Sequence, residues 1–594
     1  MLRVRIGNVL NIDDVVQITS ISVVPNYRTN LPTAAQRFSD NFKTRSTVRP
    51  HYHQHIRLQN SRITDRSIEL GAPFESQCGK LNFRMKKNLK IAVISLYALE
   101  NNGVRHVATP LREAGYQVTE IYFKDWVNNR FPWPEENEVN ALISLLKDRE
   151  IDVIGFSVRA SAFHRMAKYL TERVRYALNV PILWGGMHPT FLPERCISIA
   201  DYISVGEVDH AVVDFFDALE RGEKGNNVPG FWMREGETIY RNDIAELVDL
   251  NEIPFRDFHT VDDKFCIDGD KITTGDPFIT NPEYTLLASR GCPYWTCTFC
   301  SNTLTKPLYE GKGKKFRIRS VEHLIQELEY AKSLCKEIKV VRFDDEVFPL
   351  RKDWIAEMKE KWPTRVGIPF EVLVDPRMVA YEPLKHLKEA GLRAVCMGIQ
   401  ASERVNQEFY NRNTTNEQII NAQKIFRKLD LDSSLQVIWD DPVSEEEDKD
   451  AVFRLIMELE RPFNLYLFGL TIYPNTHLAR RLLREGLITE ADIEGVGTHA
   501  FEQFRVDLSY PRPKADQRWL ALMVLANKPF LSKDVVWKLY ESDRFKEDPR
   551  MLTHMAQASN LAHMAGFVSK MAMRGEVTPL LLKRWVNPGS LVTM

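Results

Sequence analysis

Eight cysteines in 594 residues are too few for a disulfide framework. No apolar run reaches 18 residues, so the sequence offers no membrane-spanning helix. The start, MLRVRIGNVLNIDDVV, lacks the continuous apolar core of a signal peptide. Charge of one sign is missing too: 79 Lys and Arg face 80 Asp and Glu, for a net charge of −1, so no global field draws the chain to nucleic acid or an anionic membrane. These absences point to a globular protein of a reducing cytoplasm. Cys78, Cys196, Cys266, Cys335 and Cys396 are scattered singly, as reduced thiols are.

The length suggests three or four domains, and 44% hydrophobic residues supply their cores. Residues 1–88 have little apolar periodicity and carry 14 Lys or Arg against 6 Asp or Glu, which reads as an N-terminal extension and potential basic arm. From Lys90 short Ile- and Val-rich segments (KIAVIS, QVTEIY, DVIGFS, PILWGG, YISV) alternate with helix-length ones, the pattern of a parallel sheet covered on both faces. This Rossmann-like unit spans 89–225. A linker, 226–280, leads to a second alternating unit, 281–510, with six strands: YTLLAS, IKVVRF, PFEVLV, AVCMGI, SSLQVIW and LYLFGLTI. A partial parallel (β/α)6 barrel is the expected fold, and residues 511–594 are expected to form a C-terminal helical domain. The overall class is α/β.

Ligands of such sheets sit at the carboxyl ends of the strands. In the first unit those loops hold Ser157, then Gly185, Gly186 and His188 of WGGMHP, then Gly206 and Glu207 of VGE. Glycine after a buried strand lets a flat ligand approach the backbone. In the second unit the first strand-to-helix loop is SRGCPYWTCTFCSN, which places Cys292, Cys297 and Cys300 within nine positions. Three thiolates hold three corners of a 4Fe-4S cube and leave one iron open. A zinc site is the alternative and would need a fourth ligand from elsewhere in the chain. Asp344 and Asp345 end the second strand of this unit, Asp375 and Arg377 follow the third, and Gln400 ends the fourth.

SRGCPYWTCTFC, together with VVRFDDEVF, GIQASERVNQEFYNR and YPNTHLARRL, resembles the radical S-adenosylmethionine (SAM) superfamily. GVRHVATPLREAGYQV and PILWGGMHPTFLPE are similar to the cobalamin domain of its B12-binding branch. The resemblance implies a 4Fe-4S cluster on Cys292, Cys297 and Cys300, with the amino and carboxylate groups of SAM on the open iron. One electron would then release a 5'-deoxyadenosyl radical. It further implies that Phe299 lies against the adenine and that Asp344, Asp345, Asp375, Arg377 and Gln400 line the SAM site. Ser157, Gly185, Gly186, His188, Gly206 and Glu207 would line cobalamin. No D-x-H-x-x-G signature occurs around SLYALENNGVRH, so the cobalt is expected without a histidine ligand.

Most of that branch transfers a methyl group to an unactivated carbon; ring closure, rearrangement or oxidation is the alternative, and a cobalamin sensor a third reading. The expected partners are a reductant such as flavodoxin or ferredoxin and a small-molecule, lipid or peptide substrate, with no nucleic acid. The sequence departs from the family at the four residues between Cys292 and Cys297, where three are usual, and at the acidic VIWDDPVSEEED, where a glycine turn is usual. The C-terminal helices, with Trp519, Trp537, Tyr540 and Trp585, are expected to cover the barrel's open side. By that reading a chain ended near Tyr510 would stay folded with its cofactors and lose only substrate turnover.

Overall fold

The computed structural model describes residues 87–126, 130–269, 271–493, 505–508, 511–579 and 582. The N-terminal extension falls almost wholly outside them. Among the described residues no helix is long and apolar enough to cross a membrane.

The first sheet begins with β1 (Lys90–Leu96), followed by helix α1 (Asn102–Glu113) and β2 (Gln117–Phe123). β3 (Val153–Ser157), β4 (Ile182–Gly185) and β5 (Tyr202–Ser204) follow, each after helical segments. These strands are buried along almost their whole length, because helices cover both faces. Two hairpins extend the sheet to nine strands, in the order β7-β6-β5-β4-β3-β1-β2-β8-β9. They are β6 (Phe231–Glu235) with β7 (Thr238–Arg241), and β8 (Lys264–Asp268) with β9 (Lys271–Thr274). Both lie in the segment read as a linker, which thus supplies the two edges of the first sheet. The outer strands β7 and β9 are polar and exposed or half-exposed, and β6 and β8 are short and carry charged residues, so none has an apolar run long enough to mark it.

The second sheet has six strands, all parallel, in the order β10-β13-β14-β15-β16-β17. They are β10 (Glu283–Leu286), β13 (Val340–Phe343), β14 (Phe370–Val374), β15 (Leu392–Gln400), β16 (Asp432–Asp440) and β17 (Asn464–Gly469). A two-stranded ribbon of β11 (Ser289–Arg290) and β12 (Arg317–Ile318) stands between β10 and β13 in the chain. Alternation sets the layers. Along β16, Ser433, Leu435, Val437 and Trp439 are buried while Ser434, Gln436, Ile438 and Asp440 are half-exposed. The apolar set packs on the surrounding helices and the other set lines the concave side.

The C-terminal helices do not lie where the sequence suggested. Helix α12 (Lys514–Ala526) packs on α10 (Glu446–Glu458), with Arg518 to Ala526 all buried. Trp519, Trp537 and Tyr540 gather around Phe453 of α10, so they form outer core rather than a substrate cover. Trp585 lies outside the described residues. Helix α14 (Arg550–Met573) runs past the amino ends of the strands. His563 meets Asn464, Lys570 and Arg574 pair with Asp432, and Glu576 beyond the helix pairs with Arg393. Those partners are the first or second residues of β17, β16 and β15, so this helix closes the floor of the barrel, opposite the cysteine loop. The open edge of β17 is covered by residues 505–508, where the Val506 N–H donates to Leu467 O at 2.8 Å.

Candidate active site

The loop that holds the three cysteines is fixed first by a buried acid. Asp345 accepts the N–H groups of Ala288 and Ser289 at 3.1 and 2.5 Å and the Ser289 hydroxyl at 2.5 Å. It is 3% exposed, and burial pushes its carboxyl up to about 7. Asp345 therefore holds the corner where β10 turns into β11, and it does not reach the mouth where the sequence reading placed it. A strand-end acid can serve the loop behind it as well as the cavity ahead, and here three donors decide which.

Two backbone devices accommodate the four-residue spacing. Gly291 has φ +93°, and a Cβ there would lie 2.5 Å from Lys315 O and 2.8 Å from the Trp295 ring. Trp295 itself takes the left-handed conformation at φ +55°. The surplus residue is thus absorbed as a bulge whose tryptophan ring seats on a glycine. The neighbouring Tyr294 ring lies under the Arg377 guanidinium, 3.5 Å from carbon to centroid. Arg377 forks onto Asp375 at 2.7 and 2.9 Å, and Arg412 joins the same carboxylate at 2.9 Å. Asp375 and Arg377 therefore act together as a wall that pins the bulge.

The sulfurs are half-buried, with donors aimed at them. The N–H groups of Tyr294 and Trp295 point to Cys292 Sγ, and that of Asn302 to Cys300 Sγ, with Asn302 Nδ2 also 3.6 Å from the latter. Burial pushes all three thiols up, Cys300 to about 12, while Arg412 and Arg377 oppose this at Cys297. Thiols that resist ionisation alone, yet are surrounded by N–H donors and cations, suit thiolates held by a metal group that displaces their protons. Among the described residues no three His, Cys, Asp or Glu side chains come together as a site for a single metal ion. A cube takes one sulfur at each of three separate irons and needs no such convergence. The donor set fits the cluster.

Other expected SAM residues divide between mouth and core. The Phe299 ring packs on Tyr410, 4.8 Å between centroids, in a core with Leu470, Ile472 and Leu478, so the ring is engaged with protein. Gln400, at φ +71° on a bulge of β15, folds its amide over Gly398. Asp344 is exposed and held by Arg342, which also pairs with Glu283 at 2.6 Å. Sequence reasoning passed over Glu346. Its side chain is exposed, accepts Asn302 Nδ2 at 2.8 Å and stands close enough to Cys300 to act on its titration. The signal was present in the run DDE, but only the structure shows that the second acid is buried and the third is open.

The first sheet brings its loops to the same side. The chain leaves β1 toward β2 on one flank and β3 on the other, which makes the β1–β3 crevice a switch point. Asn101 bridges it, donating to Ser95 Oγ and Ser157 Oγ, both at 3.0 Å. His188 is buried, with Nδ1 3.0 Å from Ser161 Oγ and its ring stacked on His164 at 5.0 Å; burial lowers it to about 3, so it is neutral. The hydroxyls, the amide and the neutral His188 imidazole at a switch crevice fit a polar organic cofactor.

The glycines have a nearer reason than a ligand. A Cβ on Gly185 would meet Ser204 Oγ at 2.8 Å, one on Gly186 the Val158 and Arg159 backbone at 3.0 Å, and one on Gly206 the Tyr309 hydroxyl at 2.9 Å. Glu207 is engaged by Arg290 and Arg317. Gly186→Val should then displace the loop after β3, since φ +107° is strained for valine at about 1–3 kcal/mol. A fall in cobalamin affinity of roughly tenfold or more is expected on that scale. Equilibrium dialysis with aquocobalamin measures it, and unchanged affinity in a folded variant would remove the loop from the site.

The B12 binding domain family matches residues 90–216, and the radical SAM superfamily matches residues 286–487, together more than half of the chain. The chain belongs to the radical SAM superfamily of enzymes, in its cobalamin-binding branch. The two domains imply a 4Fe-4S cluster, SAM and cobalamin as its cofactors. This radical SAM protein is 25% identical over 372 residues to an uncharacterized methyltransferase, PH0819, of Pyrococcus horikoshii, covering 60% of this chain and 74% of that one. It is 24% identical to the anaerobic magnesium-protoporphyrin IX monomethyl ester cyclase of Cereibacter sphaeroides, covering 56% of this chain and about half, 52%, of the cyclase. Its fold is similar to the cobalamin-dependent SAM radical enzyme OxsB, with a TM-score of 0.55 and 17% identity over 82% of this chain and 75% of that one.

Proposed function

We propose that this radical SAM protein is a methyltransferase that acts on an unactivated carbon. The observation that carries the reading is that the carboxyl edges of the two sheets are held against each other, Glu207 and Asp209 after β5 being bonded by Arg290 beside the cysteine loop. Asn102, at the start of α1 beside the cobalamin crevice, donates to Thr285 of β10 at 3.3 Å, so the carboxyl edge of the first sheet lies against the barrel. When bound, the cluster with SAM supplies a carbon-centred radical and cobalamin a transferable methyl group. The methyltransferase relative, of which this chain covers 74%, supports methyl transfer over ring closure.

The chain's own residues divide the work. Cys292, Cys297 and Cys300 hold the cluster. Glu346 and Asp344, the open acids at the mouth, orient the SAM ammonium, with Gln400 beside them; Phe299 contributes backbone to the adenine pocket. Asp345, Asp375 and Arg377 act behind this layer by fixing the loop. Ser157, Gly185, Gly186 and His188 form the cobalamin crevice, while Gly206 and Glu207 serve it through contacts with the barrel. A low-potential protein such as flavodoxin or ferredoxin supplies electrons in a reducing cytoplasm, in keeping with the free thiols of every described cysteine. The substrate is a small molecule, lipid or peptide.

Anaerobic incubation of reconstituted protein with SAM and titanium citrate tests the reading. Release of both 5'-deoxyadenosine and S-adenosylhomocysteine is expected. Deoxyadenosine alone would favour ring closure or oxidation, and neither product a sensor. Glu346→Gln should raise the KM for SAM about tenfold or more, the scale of a lost charge-assisted hydrogen bond of about 1.5–3 kcal/mol, with iron content unchanged. An unaltered KM would shift the ammonium contact to Asp344.

A further inference from the structure

The loops expected to carry the cluster and cobalamin are bolted together. Arg290 stands two residues before Cys292. Its guanidinium donates to Glu207 at 2.7 Å and to both oxygens of Asp209 at 2.7 and 2.9 Å. Arg317, paired with Arg290 across the β11–β12 ribbon, donates to the other Glu207 oxygen at 2.5 Å and to Val248 O at 2.9 Å. Tyr309, just past helix α5 (Asn302–Leu308) that leaves the cysteine loop, accepts the Glu207 N–H at 2.7 Å. Its ring also closes against Gly206, whose φ of +82° and missing Cβ leave it the space. Three residues flanking the cluster loop thus grip three of the four positions 206–209 at the carboxyl edge of the first sheet. The four charged side chains are each at most 24% exposed.

Ion pairs in such a place add little net stability, because desolvation offsets much of their attraction; what they fix is register. A forked guanidinium on two carboxylates allows few relative positions of its two strands.

We propose that Arg290, with Glu207 and Asp209, is a positioning group that sets the distance between the cluster and the cobalamin. The inference rests on both cofactors occupying the sites assigned above. It also explains why VGE, a glycine and an acid at a strand end, reads like a ligand loop in the sequence: the loop does serve the cofactor, by holding its neighbour in place.

The test is the magnetic dipolar coupling between the reduced cluster and cob(II)alamin, read by pulsed electron paramagnetic resonance on dithionite-treated holoenzyme. The native protein should give a single sharp coupling. Arg290→Ala, and Glu207→Gln combined with Asp209→Asn, should lose it to a broad distribution with both cofactors still bound, while Arg290→Lys recovers part of the sharp component. A second readout needs no cofactor: amide exchange at residues 205–209 should quicken in Arg290→Ala and in Tyr309→Phe. A sharp, unshifted coupling in variants that retain both cofactors, or unchanged exchange, overturns the proposal. Failure of the native protein to bind one of the cofactors would instead overturn the functional reading, and the exchange data would still decide whether the clamp holds.

Discussion

Alanine at Cys292, Cys297 and Cys300 together is expected to leave a folded protein with no cluster and no SAM cleavage. The cysteine loop is held by contacts that do not involve sulfur: Asp345 on Ser289, the Thr298 N–H on Tyr410 O at 2.9 Å, and the Leu478 N–H on Thr298 O at 3.0 Å. Removing the thiols therefore removes the ligands and spares the scaffold. Iron should fall from about four per chain to background, since three cysteines hold a cube of four irons, and the broad visible absorbance should disappear with it. The thermal midpoint of the metal-free chain should stay close to that of the metal-free native protein. Retention of the iron in the triple variant would show that the cube sits elsewhere.

Ending the chain after residue 510 should destroy the barrel instead of uncovering it. Helix α12 buries Trp519, Leu520, Leu522, Met523, Val524 and Leu525 on the outer layer of the barrel. Full burial of one such side chain contributes about 1.5–3 kcal/mol, so even a discounted sum is comparable with the roughly 5–15 kcal/mol that holds a whole domain. Loss of α14 and of Glu576 after it would also release Asp432 and Arg393 at the floor. The expected result is an insoluble or molten chain that takes up neither iron nor cobalamin, measured by soluble yield and near-ultraviolet circular dichroism. A well-folded truncated protein that still binds both cofactors would restore the reading of these helices as a detachable cover.

How far the sequence could be read depended on what a residue's neighbours in space decide. The buried strands were legible because a run such as KIAVIS or DVIGFS has one stable place, inside a covered sheet. The cysteine triplet stood out because three thiols so close have few uses. The roles of Asp345 and Glu346 were not, since adjacent acids at a strand end look alike until one is seen to take three donors from Ala288 and Ser289. Gly206 and Glu207 were misleading for a related reason: a glycine that admits the Tyr309 ring cannot be told, in one dimension, from a glycine that admits a corrin. The edge hairpins escaped notice because strands such as Lys271–Thr274, exposed throughout, lack the apolar pattern that marks a strand.

The concave face of the barrel carries Glu283, Arg342, Glu371, Cys396, Ser434, Gln436 and Tyr466, half-exposed and inward by alternation. Glu283 is pushed up by burial and by Glu371 and Asp344 nearby, and the Cys396 thiol is pushed up to about 12. A wall of this kind judges a visitor by its hydrogen bonds more than by its size. An apolar pocket separates analogues differing by one methylene only about 10- to 200-fold, whereas a site built to bond a hydroxyl or amine rejects the analogue lacking it by about 10⁴-fold or more, because its own polar groups are left unpaired. Among compounds of one shape, this enzyme should therefore tolerate added or missing carbon far better than a missing heteroatom.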